Sequence, residues 1–240
     1  AESSVITSFY LEPTEGGDVP DFEAGQFVTV VLNVNGVSLR RNYSLSDAPG
    51  TGYFRISVKR EPEGAVSNHL HDQLAVGDTI DLLPPCGDFT LRRNGKPLVL
   101  LTAGVGITPA ISMLNVEAQS TRDIRFIHAA INSDMHAFKA HVNQVAAANS
   151  KITSLYIYSE PGVDCQPDAE GFVTADLISA QLPEDRDVEF YFLGPKPFMG
   201  AVFKIATELG VPEGAEDDER RRQPDGERDR QAFAQQLAHI

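Results

Sequence analysis

Arg41-Asn42-Tyr43-Ser44-Leu45-Ser46 brings a cation, an aromatic ring and a hydroxyl close together. In an extended strand Arg41, Tyr43 and Leu45 face one side, and Asn42, Ser44 and Ser46 the other. A flavin dinucleotide needs a cation for its pyrophosphate, a flat face for its ring and a hydrogen-bond partner at its reactive nitrogen. Arg, Tyr and Ser supply those three. An ordinary amphipathic strand has the same pattern, so the hexapeptide alone leaves both readings open.

Three further segments carry anion-binding chemistry. Lys59-Arg60-Glu61 precedes Gly64-Ala65-Val66-Ser67-Asn68, a Gly-x-x-Ser helix start with Ser67 as candidate N-cap. Free backbone N–H groups and the helix dipole make such a start an anion site. A plain capped helix is the competing reading. Thr102-Ala103-Gly104-Val105-Gly106-Ile107-Thr108-Pro109 lies between an apolar run and a helix-like stretch. Its glycines would let a pyrophosphate approach the backbone, and Pro109 suits a first helical turn. Pro109 also takes the last Gly place of the usual Gly-x-Gly-x-x-Gly. Leu193-Gly194-Pro195-Lys196-Pro197-Phe198-Met199 follows the last strand-like run, where ligands of parallel sheets bind. Taken locally, a simple strand–turn–helix with Pro197 as helix starter explains that segment better.

These residues must be held by two kinds of element. Val5–Leu11, Phe27–Val34, Tyr43–Leu45, Phe54–Lys59 and Thr79–Leu83 read as short strands, with a hairpin at Asn35-Gly36 and one helix over Val66–Gln73. That pattern predicts a small antiparallel barrel. From Leu98 the rhythm changes. Strands at Leu98–Thr102, Ile124–Ala129, Ile152–Tyr158 and Glu189–Leu193 alternate with helices at Thr108–Gln119, Met135–Ala148, Thr174–Ala180 and Pro197–Leu209. Alternation of this kind predicts an α/β doubly wound parallel sheet. The expected division is 1–94, 95–212 and a charged tail, 213–240, that reads as disordered with a short helix at Gln231–Ile240.

The formal charge of −14 argues against nucleic acid and anionic membrane surfaces as partners. Two cysteines, Cys86 and Cys165, with no Cys-x-x-Cys, leave no basis for an iron–sulfur centre or structural zinc. They read as reduced thiols of a cytoplasmic protein, with a single disulfide as the alternative. No run is long and apolar enough for a membrane span, and no signal pattern is visible. The chain enters its first strand almost at once and reads either as a piece cut from something longer or as a chain with a disordered start. His69, His71, His128 and His136 are expected in structural or surface roles, with no metal bound.

In order and spacing, the four segments resemble the ferredoxin–NADP reductase superfamily. Ala24-Gly25-Gln26-Phe27, Val58-Lys59-Arg60-Glu61, Val66-Ser67-Asn68-His69-Leu70-His71 and His128-Ala129-Ala130…His136-Ala137-Phe138 are similar to the reductase domain of flavohaemoglobins, over about residues 1–212. The resemblance implies an FAD-binding barrel followed by an NAD(P)-binding domain. Arg41 would hold the FAD pyrophosphate, Tyr43 and Phe27 would lie beside the isoalloxazine, and Ser44 near its N5 atom. Asn42, Lys59, Gly64, Val66, Ser67 and Asn68 would complete that site. Gly104, Val105, Gly106, Ile107, Thr108 and Pro109 would cradle the nicotinamide dinucleotide, with Thr108 at the nicotinamide and Gly194, Pro195 and Phe198 lining the pocket.

Tyr43, Ser44 and Thr108 would thus stand closest to the hydride transfer from NAD(P)H to FAD. The resemblance further implies a one-electron acceptor. In flavohaemoglobins it is a globin haem, and the overall reaction is nitric oxide dioxygenation. Haem would come only with a globin domain or separate partner. Ile131-Asn132-Ser133-Asp134 offers no cation for a 2′-phosphate, which favours NADH over NADPH. Two other enzymes fit the resemblance, a multicomponent-oxygenase reductase and a free-standing flavin reductase, and a non-catalytic flavin- or nucleotide-binding relative is a different class. The sequence departs from the family at Leu193, where many relatives have Cys, and after Pro212, where the family's last strand is replaced by the charged tail. That tail reads as foreign to the fold.

Overall fold

The computed structural model describes residues 1–34 and 36–211. Asn35 and residues 212–240, with the expected tail and terminal helix, lie outside the described residues.

The first part contains β1 (Ile6–Leu11), β2 (Phe27–Val34), β3 (Val37–Ser44), β4 (Phe54–Lys59), α1 (Ala65–Asp72) and β5 (Asp81–Cys86). β2 and β3 pair antiparallel as far as Val34 and Val37, and Gly36 takes φ 81° in the tight turn between them. The antiparallel sheets are β3-β2-β5 and β1-β4. They are joined at one bridge, Leu45 to Ile56. Val28, Val30 and Leu32 alternate inward from β2, and Phe54, Ile56 and Val58 from β4. Leu45, Val66 and Leu70 fill the space between, so α1 plugs the barrel. β3 and β4 pair no further than that bridge, and a cleft opens where they part. β5 runs through Pro84-Pro85, which an edge strand tolerates because half its N–H groups need no partner.

The second part is a five-stranded parallel sheet of β6 (Leu98–Ala103), β7 (Ile124–Ala130), β8 (Ile152–Tyr158), β9 (Ala169–Glu170) and β10 (Glu189–Leu193), in the order β10-β6-β7-β8-β9. β6 is buried along its whole length, as a central parallel strand should be. α2 (Ile107–Glu117) and α3 (Lys139–Ala148) pack on one face of the sheet, and α4 (Ala175–Ser179) and α5 (Lys196–Glu208) on the other. The sheet is therefore doubly wound. Its order reverses between β6 and β10, and such a switch point opens a crevice at the carboxyl ends of the strands.

The domains share apolar contacts. Ile6 and Ala24 belong to the core beneath α2 and α3, with Phe89 and Leu91 packed against it. The outward face of β4 is consequently buried as well, at Arg55 and Ser57. Among the described residues, no helix is long and apolar enough to cross a membrane.

Two local expectations need correction. Ser67 is not the cap of α1. Gly64 holds that place, and the Ser67 hydroxyl turns back to donate to the Gly64 carbonyl at 3.1 Å and accept from the Glu61 amide at 3.2 Å. The helix expected from Met135 starts only at Lys139. Asn132 caps a separate short turn at Ser133–Met135, and Phe138 adopts left-handed φ 62°. That conformation costs a non-glycine residue about 1–2 kcal/mol, and burial of the Phe138 ring offsets it.

Candidate active site between the barrel and the parallel sheet

The cleft beside β3 is lined by Asn42, Tyr43, Ser44, Ser57, Lys59, Ser67, Val105 and Thr108. Residues from both faces of β3 reach it, because β3 is an edge strand and the cleft runs along its free side. Thr29 donates to the Asn42 side-chain oxygen at 2.7 Å and fixes that amide. Burial, helped by Glu61 and opposed by Arg41, pushes the Tyr43 phenol up to about 12. Tyr43 is therefore a neutral hydrogen-bond donor at any ordinary pH. Lys59 pairs with Glu61 at 2.8 Å. Arg41 donates to the Arg40 carbonyl at 2.7 Å and is partly exposed. The first amides of α1, at Ala65, Val66 and Ser67, begin the helix with no side-chain cap. They retain the anion-binding capacity of a helix start.

A second cavity, of about 440 Å³, lies at the sheet's switch point. Its walls include Ala103–Val105 after β6, Ala129–Ile131 after β7, Gly171–Val173 and Pro195 and Phe198 after β10. Mostly apolar walls and this volume suit a ligand pocket. Lys59 and Val105 line both cavities, so the two adjoin.

Two glycines make the junction possible. Gly104 has φ 54°, where a side chain is strained. At Gly106 a Cβ would stand 2.5 Å from the Leu193 carbonyl oxygen, so only glycine lets the β6 and β10 loops touch. Gly194 is confined in the same way, by Phe198 and Ala103. Thr108 donates to the Val105 carbonyl at 3.1 Å and closes the turn.

Most of the expected site residues converge here, but several side chains do not face the ligand space. Val66 and Ile107 are buried in the two cores, and Pro109 is buried in α2, so these offer only backbone. Phe27 stands opposite Ser44 in register, with its ring against Gly87. Asn68 donates to the Pro62 carbonyl at 3.4 Å, outside the cleft lining.

Ser57 and Phe172 were not anticipated. Ser57 is one hydroxyl among many in sequence. Phe172 is 80% exposed and borders the large pocket. Its signal, an aromatic following glycine after a minimal strand, is too short to read as periodicity.

His128 and His136 form a buried pair outside the cavities, with ring centroids 4.5 Å apart. His128 Nδ1 meets the Thr102 hydroxyl at 2.8 Å, and His136 Nδ1 meets the Tyr158 hydroxyl at 2.8 Å. Burial holds His128 well below the usual histidine range. It lowers His136 to about 3, with Lys139 adding to the effect. Both rings are neutral.

The family described as "Oxidoreductase FAD-binding domain" matches residues 3–91. That described as "Oxidoreductase NAD-binding domain" matches residues 100–204. Fold and site thus define a two-domain oxidoreductase that takes FAD and a nicotinamide dinucleotide.

A protein named Flavohemoprotein in Pseudomonas aeruginosa is 49% identical over 212 residues, 88% of this chain and 54% of that protein. The solved flavohem-like FAD/NAD-binding domain of nitric oxide dioxygenase from Vibrio cholerae O1 biovar El Tor superposes with a TM-score of 0.82 at 33% identity, covering 89% of this chain and 91% of that one. Flavohemoglobin from Malassezia yamatoensis, with bound FAD and heme, shares the fold at a TM-score of 0.78 and 23% identity, over 89% of this chain and 55% of that one. The chain belongs to the flavohaemoprotein family, as its FAD/NAD-binding reductase part. It spans about half the length of the curated relatives it matches.

Proposed function

We propose that the chain oxidises NADH at the switch-point pocket, passes the electrons through FAD beside β3, and delivers them to a globin haem, as the reductase half of a nitric oxide dioxygenase. The observation that carries this reading is the junction of the two cavities at Lys59 and Val105. It brings Tyr43 and Ser44 from one domain to Thr108 from the other.

The residues present fit both cofactors. Uncapped amides at Ala65–Ser67, with Arg41 and Lys59, would hold the FAD pyrophosphate. Tyr43 would pack on the flavin and Ser44 would donate toward its reactive nitrogen. The cleft, about 30 Å³, would receive the edge of the ring system and not its whole area. The Gly104–Thr108 turn would hold the dinucleotide phosphates, and Gly194, Pro195 and Phe198 the nicotinamide end. When bound, the flavin accepts two electrons together with a proton and releases the electrons singly. The side chains need not exchange protons in that step, so they orient the partners and exclude water.

NADH is favoured over NADPH on charge. Lys59 is the sole cation in the large pocket's lining and is already paired with Glu61. The flanking Asp134 and Glu160 are acidic. An additional phosphate on the nucleotide would meet no partner there. The expected ratio of kcat/KM, NADH over NADPH, is at least about tenfold, equivalent to about 1.4 kcal/mol. Steady-state assays with both nucleotides check it.

A haem acceptor is supported by the relatives' names and by the half-length match. We assign the boundary between the domains to Asn94-Gly95. Two free thiols suit a reducing cytoplasm. The test is to mix the FAD-loaded chain and NADH anaerobically with a ferric flavohaemoglobin globin domain. Haem reduction faster than with NADH alone supports the reading, and its absence despite a reduced flavin overturns the haem assignment.

A further inference from the structure

Asp47 lies three residues after Ser44 and is held from both domains. Its carboxylate accepts from the Asn115 amide at 2.8 Å and the Tyr53 hydroxyl at 3.0 Å. Arg55 faces it at 3.4 Å, with both side chains largely buried. The Asp47 backbone carbonyl accepts from the Ser112 hydroxyl at 2.6 Å. Behind Asn115, the His141 ring donates through Nε2 to the Asn115 side-chain oxygen at 2.6 Å. The Arg55 guanidinium stands 5.3 Å above the Phe138 ring.

The spacing gives this cluster its meaning. Thr108, Ser112 and Asn115 fall at i, i+4 and i+7 and share one face of α2. Ser44 and Asp47 are likewise joined by a short, buried stretch of chain through Leu45 and Ser46. The cluster therefore ties the end of the flavin strand to the middle and end of the nicotinamide helix, on the face that carries Thr108. Domains joined by a modest interface move relative to one another unless something holds them.

We propose that Asp47, Ser112 and Asn115 form an interdomain clamp, braced by Arg55 and His141, that sets the separation of the two cofactor sites. These are positioning residues for hydride transfer, a role resting on the reading of the sites given above. In that step the reduced nicotinamide loses a proton and two electrons and the flavin gains them, so the chain's own lever is geometry. A misplacement of about 1 Å can cost on the order of 100-fold in rate.

The test uses the full chain loaded with FAD, and the variants Ser112→Ala, Asn115→Leu and Ser112→Thr. Three quantities are measured: the limiting rate of flavin reduction by saturating NADH in anaerobic stopped flow, FAD affinity by fluorescence quenching, and hydrogen exchange of the FAD-free chain over 42–48 and 104–116. The clamp predicts that Ser112→Ala and Asn115→Leu slow reduction roughly ten- to hundred-fold with FAD affinity unchanged. Exchange should rise in both segments, and Ser112→Thr should recover the rate. Wild-type rates in both variants, or slowing that vanishes when FAD is in excess, would overturn it. If the unmodified chain is not reduced by NADH at all, the reading of the sites fails and the clamp's role fails with it.

Discussion

At Phe172 a large aromatic side chain is left in solvent at the rim of an apolar pocket. A planar ring bound there would cover it, and aromatic pairing contributes about 1 kcal/mol beyond area burial. Phe172→Ala should therefore raise the KM for NADH roughly fivefold and leave kcat nearly unchanged, as steady-state kinetics would show. The buried histidines govern stability instead. Unfolded histidine titrates near 6.5, whereas His136 titrates at about 3 in the fold and His128 also lies well below its usual range. Below pH 6.5 the unfolded chain takes up protons that the folded chain refuses. Their stabilisation is thus complete above about pH 6.5 and lost as pH falls, by about 1.4 kcal/mol per pH unit for each ring. The urea midpoint should drop between pH 7.5 and pH 5, and His136→Phe should shrink that drop without abolishing it, because burial holds His128 and His141 down as well.

Among the elements, the two switch-point turns matter most. Gly106→Ala would push a methyl into the Leu193 carbonyl, a backbone atom that cannot step aside. The expected cost is about 1–3 kcal/mol of stability together with weakened NADH binding, read by thermal unfolding and a nucleotide titration. The sequence announces this turn because an all-apolar run, two glycines and a proline coincide there. The same clarity holds for β8 and β10, whose Ile, Leu, Tyr and Phe residues mark them as largely buried strands despite Thr153, Ser154 and Glu189. Legibility fails where tertiary contact overrides local pattern. Phe138 breaks an otherwise helical stretch because its ring is wanted beneath Arg55, eighty-odd residues away. Ser67 looks like a cap, yet its hydroxyl satisfies the chain from inside the helix. β9 is two residues long, below any periodic signal. The convergence of β3 with α2 depends on Leu45–Ile56 being the last bridge before the strands part, and no local pattern encodes that.

For the whole molecule, the proposed function requires two domains that hold two cofactors edge to edge. The apolar seam at Ile6 and Ala24 holds the domains in contact, and the Asp47 cluster adds direction to that contact. The 440 Å³ pocket and the cleft meet at Lys59 and Val105. Leu193 sits at the end of β10, its backbone against Gly106. The most direct measurement is an anaerobic titration of the FAD-loaded chain with NADH, following the flavin absorbance. The expected result is bleaching that is complete at one NADH per flavin. Bound FAD that stays oxidised in excess NADH would contradict it.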